Sequence, residues 1–549
     1  MKKPGMSIIE RAKEVAEEFE YGEEDVQRAT KHFIKQMNEG LERDGATMGQ
    51  IPSYVTSVPN GTEKGLYLAV DLGGTNLRIC SVDLLGDTKF SILQSKCAIP
   101  SELMFAKTAA ELFAFLATKI EVFLQTHHSE QLLSHRRKPM EILNQNSLNR
   151  EGFLQLGFTF SFAFEQHALN RGSLLYWTKG FNIPDAIGKD ICGLLQEEID
   201  KLRLPVTVAA LVNDTVGTLL ARSYEASGTT KTLLGAIFGT GTNGAYVEKM
   251  SNLKKMKVSD NPAPTEMIVN TEWGSFDNEL SVLPNTPYDI AVDMESLHPG
   301  IQMFEKRISG LYLGEILRYA ILAIAPFSTT MIIRETSLLY KQFSIDTSFL
   351  STAAADLTSD LSAIRQELAQ TLGVEANHED SEAIRRLVLA IGRRAARLAG
   401  VAIAAVVIKS GRLSQSTPRT NLSYPAAEDK PSLISTYSFL PEASTKPAIN
   451  FFGRFFQWIR AFFLQWTGRL APKPAIIAPV TSDLPEIVDI GVDGSLIEHY
   501  PDFEALIRTA LREVDGIGLE GEKRIRIGIA KDGSGVGAAL VARMADLRT

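Results

Sequence analysis

Two glycine-bearing tips pose the first chemical question. In YLAVDLGGTNLRIC, residues 67–80, an apolar strand runs into Asp71, Gly73, Gly74 and Thr75, then resumes as strand from Asn76. In TLLGAIFGTGTNGAYVEK, residues 232–249, the same build recurs around Gly239, Thr240, Gly241 and Thr242. Glycine lets backbone N–H groups approach a ligand because no Cβ intervenes, and successive N–H groups in such a turn form an anion-binding concavity. Threonine adds a hydroxyl donor, so both tips have the composition of phosphate cradles. Asp71 stands where a carboxylate holds Mg²⁺ beside those phosphates, directly or through water. A Walker A loop and a dinucleotide fingerprint each open a helix after the strand. Here strands follow the loops, which excludes both. One Gly-Gly-Thr hairpin is also an ordinary tight turn; two, the first preceded by an acid, point to nucleotide binding.

Phosphoryl transfer further needs a base and positioning groups. ALVNDTVGT ends an apolar strand on Asn213 and Asp214, an amide and a carboxylate side by side where a cleft would open. Asp214 reads equally well as the N-cap of a helix beginning TVGTLLARSY, and the two roles are compatible. WTKGF sets Thr178 and Lys179 in a glycine-bounded loop, and NTEWGSF adds Asn270 and Glu272. Donors and acceptors in this mixture suit a polyhydroxylated substrate, each of whose buried hydroxyls must be paired. Taken singly, each is also an ordinary surface loop.

The elements that must position these groups follow from periodicity. Val26, Ala29, Phe33, Met37 and Leu41 share one helical face, so the N-terminal region is helix packed against a core. From Leu66 the pattern turns to a meander of antiparallel strands, followed by a helix over about Ser101 to Thr126 and an exposed connection, His127 to Glu151. The strand FLQLGFTFSF, a loop containing WTKGF, a helix near Gly188 to Leu202 and the strand VTVAALVNDTV come next. The second glycine hairpin repeats the first, the nearest thing to an internal repeat. Pro299 to Leu413 is mostly helical, with a conspicuous helix at Ser381 to Ser410. IVDIGVDGSLIEHYPDF and RIRIGIAKDGSGVGAALVARM close the plan. Two strand-rich cores, each with helices, make an α/β protein with its functional loops gathered between them.

Composition narrows the chemistry. The chain has 549 residues, 44% of them hydrophobic, enough for two lobes with substantial cores. A net charge of −8 and a pI near 5.7 argue against a nucleic-acid partner, which leaves a basic footprint. The three cysteines, Cys80, Cys97 and Cys192, form no CxxC and sit near no histidine cluster, so zinc is not indicated and a reducing compartment is. The first twenty residues lack the apolar core of a signal peptide, which makes the cytoplasm the expected location.

Ser414 to Pro485 interrupts this plan. It holds nine of the 23 prolines and many serines and threonines, a composition for loop or disorder. Within it, FFGRFFQWIRAFFLQW (451–466) sets eight large apolar residues on one helical face with Arg454, Gln457 and Arg460 opposite. The stretch is too short and too charged to span a bilayer; a membrane surface, a protein partner, the protein's own surface and an aberrant insertion are all consistent with it.

Taken together in order and spacing, LAVDLGGTNLRIC, LGFTFSF with WTKGF, VNDTVGT, GTGTNGAY, NTEWGSFDN, GVDGS and GSGVGAAL resemble the eukaryotic hexokinase family, its fungal glucokinases above all. The resemblance implies an actin-like ATPase (ribonuclease H-like) fold whose two lobes close over a hexose and MgATP. The N-terminal region would be 1–220, including a small lobe at about 66–213. The C-terminal region would be 221–549, the large lobe, with an insertion at about 414–485. Asp214 matches the family's general base, and Lys179 the residue that positions the reacting groups. The sugar, glucose by this resemblance, would be held by Ser161, Phe162, Thr178, Lys179, Asn213, Asp214, Asn243, Glu272, Gln302 and Glu305. Asp71, Gly73, Gly74, Thr75 and Asn76 match the first phosphate loop, with Lys96 nearby and Asp71 toward Mg²⁺; Gly239, Thr240, Gly241 and Thr242 match the second. Asp493, Gly494 and Ser495, with Gly533, Ser534 and Gly535, would line the adenosine pocket. The family's proline after FSF is replaced by Ala163. A non-catalytic hexokinase-like sugar sensor is the alternative reading, favoured by Ala163 and the aromatic stretch, opposed by the intact Asp214 and phosphate loops.

Overall fold

Alternation in LYLAVDL produces a strand, Lys64–Leu72, whose Leu68, Val70 and Leu72 enter one core while Tyr67 and Ala69 enter another. Its hairpin partner Asn76–Gly86 and the next strand, Lys89–Ala98, complete the expected antiparallel meander. Leu154–Phe160 and Val206–Val212 extend the other edge in parallel. A second sheet repeats this order. Glu266–Asn270, Thr242–Lys249 and Thr232–Phe238 run antiparallel, Val488–Asp493 and Ile525–Ile529 continue in parallel, and Ile51–Pro52 adds an outer edge. The repeat glimpsed in the two hairpins is thus a repeat of an entire five-stranded sheet, the arrangement of the actin-like ATPase fold with its two lobes. This computed structural model describes residues 5–74, 76–137, 152–177, 180–226, 231–256, 264–414, 487–530 and 532–547. Residues 1–415 and 486–549 form one unit. The remainder, 416–485 with its aromatic stretch 451–466, lies outside the described residues.

Two helices cross between the sheets. Asp214–Glu225 packs on the large-lobe sheet and Gly533–Asp546 on the small-lobe sheet. A Cβ on Gly537 would stand 2.2 Å from the Gly217 Cα, and one on Gly217 would stand 2.9 Å from the Gly533 carbonyl oxygen. Glycine is therefore the residue this crossing admits. The final helix of the chain serves the small lobe, while the N-terminal helices Ile8–Glu17 and Glu23–Glu42 pack on His378–Ser410 in the large one. Val26, Ala29, Phe33, Met37 and Leu41 are buried there as their spacing predicts.

Four local expectations change. The helix over Ser101–Thr126 is broken into Ser101–Met104 and Ala109–His127, because Thr108 and Glu111 form a capping box that starts a new helix. The connection after His127 begins with a helix, Ser129–Arg136, whose Leu132 and His135 are buried; 138–151 lie outside the described residues. Where a loop was expected after LGFTFSF, Ala163–Ala168 and Arg171–Tyr176 pair as a hairpin. The long helix begins at His378, three residues early, capped by the Asn377 side chain.

Candidate active site

The polar loops share one architectural position. Asp71 and Asp493, in the last residues of their strands, and the loops bearing Ser161, Asn213, Gly239 and Asp532 all lie at the carboxyl ends of strands from the two sheets, the end at which open α/β sheets bind ligands.

At the first hairpin the Gly73 N–H donates to the Asn76 carbonyl at 3.1 Å, closing a tip open enough for backbone contact with an anion. Thr75 lies outside the described residues. Asp71 and Arg78 face each other across the hairpin, and Arg78 in turn faces Lys96, which is exposed. Arg78 donates to Asp71 Oδ2 and Asp532 Oδ1, each at 3.1 Å, and to the Ser534 hydroxyl; that hydroxyl donates to Asp71 Oδ2 at 2.7 Å. The first turn of the final helix is thereby tied to the first hairpin. Ser534 is turned to Asp71, Gly533 packs against Thr218, and a Cβ on Gly535 would meet Cys80 Sγ at 3.0 Å, so the start of this helix is held beside the first hairpin. Sequence reasoning missed Arg78 and Asp532. Counting residues across the Asp71 hairpin would have found Arg78.

The second hairpin is held from below. Gly239 N–H donates to the Gly241 carbonyl at 3.0 Å, and the Gly239 and Thr240 carbonyls accept from Gly310 (2.8 Å) and Leu311 (3.3 Å) at the start of the helix Gly310–Ile324. Thr240 is exposed. Thr242, expected to offer its hydroxyl to phosphate, instead donates it to the Ile237 carbonyl at 2.9 Å and accepts Trp273 Nε1 at 3.1 Å, since the strand's alternation points it inward. Its N–H donates to Glu305 Oε1 at 3.2 Å. Beside this tip runs Asp493-Gly494-Ser495. Gly494 has φ +116°, and a Cβ on it would stand 2.6 Å from the Phe238 carbonyl. Burial, reinforced by the Glu498 and Asp214 carboxylates, pushes Asp493 up to about 6.

Between the hairpins, Val206–Val212 hands over to the helix Asp214–Glu225. Its N-cap is Asn213, not Asp214: Asn213 Oδ1 accepts the Thr215 N–H at 3.0 Å and the Thr215 hydroxyl at 2.5 Å. Asp214 is the first helical residue, accepting the Thr215 N–H at 2.9 Å, where the helix N-terminus favours its anion. Asn243 Nδ2 donates to Asn270 Oδ1 (2.8 Å) and, more weakly, to Glu272 Oε1 (3.4 Å), and Asn270 Nδ2 donates to the same Glu272 oxygen at 2.7 Å. Glu272 and Gln302 both sit in the left-handed region, at φ 51° and 59°, a local cost characteristic of functional sites. Burial and the nearby Glu272 and Glu305 carboxylates raise the Tyr176 hydroxyl above its ordinary value, which brings a residue unforeseen from sequence to this cluster.

Ser161 N–H donates to the Leu72 carbonyl at 3.3 Å, so its loop adjoins the first hairpin. The Phe162 ring is buried between Trp177 and Phe181, at 4.9 and 5.0 Å, leaving backbone as its means of touching a ligand. Ala163, in the proline position, pairs with Tyr176. Thr178 and Lys179 lie outside the described residues. Among the described residues no cluster of three or more acids, histidines and cysteines could hold a metal ion. Among the described residues, both hydrogen bonds of Asp71 fall on Oδ2. A single carboxylate beside a phosphate cradle fits Mg²⁺ that arrives on phosphates.

Two duplicated sheets, joined by crossed helices and opening a carboxylate between two glycine hairpins, define a phosphotransferase of the actin-like ATPase class. More particularly, the chain belongs to the hexokinase family: the two family models, each described as "Hexokinase", match residues 11–224 and then 233–434 with 470–544. It is 47% identical to a glucokinase of Aspergillus niger, covering 98% of this chain and 97% of that one, and 35% identical to glucokinase-1 of Saccharomyces cerevisiae, covering 98% of each. Among solved structures it resembles the hexokinase of Schistosoma mansoni complexed with glucose, with a TM-score of 0.72 and 29% identity over 98% of this chain and 99% of that one.

Proposed function

We infer that this protein transfers the γ-phosphoryl group of MgATP to the 6-hydroxyl of glucose, the entry step of glycolysis. The observation that carries the reading is Asp214 at the N-terminus of a helix packed on the strands that bear the second glycine hairpin and the Asn243–Asn270–Glu272 cluster. Asp214 accepts the proton of the 6-hydroxyl as its oxygen bonds to the γ-phosphorus; the bond to the β,γ-bridging oxygen breaks and ADP leaves. The two glycine tips cradle the phosphates through Gly74, Thr75 and Asn76 and through Thr240 and Gly241, while the Gly73 and Gly239 N–H groups close the turns and Lys96 stands at the rim. Asp71 would hold the Mg²⁺ that accompanies ATP, and that ion would supply charge neutralisation for the transferring group. Asn243, Glu272, Gln302 and Glu305, with Ser161, the Phe162 backbone, Thr178 and Asn213, pair the sugar's other hydroxyls. Lys179, carried over from the family motif, orients the reacting oxygen. Asp493, Gly494 and Ser495 line the adenosine side. Free thiols and these substrates suit the cytoplasm. The aromatic stretch 451–466 falls in 435–469, which the family models leave unmatched, and is assigned contact with a membrane surface or protein.

The test is product identity. Incubation with MgATP and glucose is expected to yield ADP and glucose 6-phosphate in equal amounts by ³¹P NMR, while 6-deoxyglucose binds without turnover. Glucose binding with no phosphorylated product would overturn the enzyme reading and leave a sugar sensor.

A further inference from the structure

The helix His378–Ser410 presents Arg385, Leu389 and Arg393 at successive four-residue steps, a single face. That face borders a cavity of about 430 Å³, within the range of small-molecule sites. The opposite walls come from the end of the helix Thr347–Ala355, with Ala354 and Ala355, and from the turn at Tyr500 and Asp502 leading into Leu506. No residue assigned to the cleft lines it: the helix Ser495–His499 separates Gly494 from Tyr500.

The cavity is built. Tyr500 is buried and donates its hydroxyl to the Val388 carbonyl at 3.0 Å. Its ring end lies so close to the long helix that a Cβ on Gly392 would stand 2.0 Å from the hydroxyl oxygen. Arg393 is partly satisfied, at 3.1 Å from Glu20, both being exposed. Arg385 is different. Among the described residues it has no hydrogen bond or ion pair, and its Nε is shut off from solvent without a partner. Asp502, the lining acid, caps the next helix in the left-handed region and pairs with neither arginine among the described residues. The residue itself is partly exposed and lines the cavity, and an oxyanion presented to the open end of its guanidinium makes the stronger, charge-assisted kind of bond. Leu389, Leu506 and the two alanines supply an apolar wall beside that charge.

We propose that this cavity is a second ligand site, taking a small organic phosphate whose anionic group meets Arg385 and Arg393 and whose apolar body lies against Leu389 and Leu506. Phenyl phosphate is the probe, titrated by calorimetry into the full chain with glucose and MgADP present to fill the cleft, and inorganic phosphate is the comparison lacking an apolar body. The wild-type chain is expected to bind one equivalent of phenyl phosphate and to bind inorganic phosphate less tightly. Arg385→Gln should weaken phenyl phosphate by about tenfold or more. Ala355→Trp, which fills the cavity while keeping both charges, should abolish binding. Neither change should alter glucose turnover. No binding to the wild-type chain, or wild-type affinity in either variant, overturns the proposal.

Discussion

At the level of single residues, the candidate site is held together by shared hydrogen bonds. Glu272 Oε1 receives both Asn243 and Asn270, so removing one amide leaves the carboxylate and the other amide under-paired when the sugar arrives. Asn243→Ala is expected to raise KM for glucose by about tenfold to a hundredfold with a smaller effect on kcat, by steady-state kinetics. Asp493 gives a pH signature. Its carboxyl is pushed up from 3.8 to about 6, so the folded state holds this proton more tightly than the unfolded chain does. Stability is therefore lost as pH rises across that window, and the loss persists above it. Relative to wild type, Asp493→Asn should gain about 2 kcal/mol between acid and neutral pH, after allowance for the residue's partial exposure. Urea unfolding at several pH values measures it; a constant offset would contradict the cause given. Candidate residues were legible where type and spacing carry the chemistry, as for Asp71, Asp214 and Glu272. Asp532 and Tyr176 were not, because their partners lie far away in sequence, whereas Arg78 was within reach of a residue count across the Asp71 hairpin.

At the level of elements, caps and close approaches decide what periodicity leaves open. Thr108 with Glu111 splits one apolar run into two helices, and Asn213 takes the cap that Asp214 could have made, leaving Asp214 one residue inside the helix. Thr242 shows the opposite limit: a hydroxyl type that suits phosphate is turned away by strand alternation and spent on Ile237 and Trp273. The helix crossing is the most sensitive contact of this kind. Gly537→Ala drives a methyl group into the Gly217 backbone, which neither helix can vacate without moving a sheet. The change is expected to cost about 2 kcal/mol or more in chemical denaturation. A loss near zero would show that the crossing has room to relax.

At the level of the whole molecule, sequence halves and structural lobes do not coincide. The first helices join the large lobe and the last helix backs the small-lobe sheet, so the Arg78–Asp532–Ser534 linkage joins the two sequence halves. Periodicity revealed both hairpins but not that each begins an identical five-strand order, since parallel partners arrive from more than 70 residues away in one sheet and more than 240 in the other. The family models pass over 435–469, and deleting those residues is expected to leave glucose turnover unchanged, by coupled assay. Most direct for the central claim is Asp214→Asn, assayed for ADP release with glucose and, on the same preparation, for glucose binding by calorimetry. Loss of about 10²- to 10⁴-fold in kcat with glucose still bound is the predicted result, the signature of a missing general base. Turnover at the wild-type rate would contradict the account.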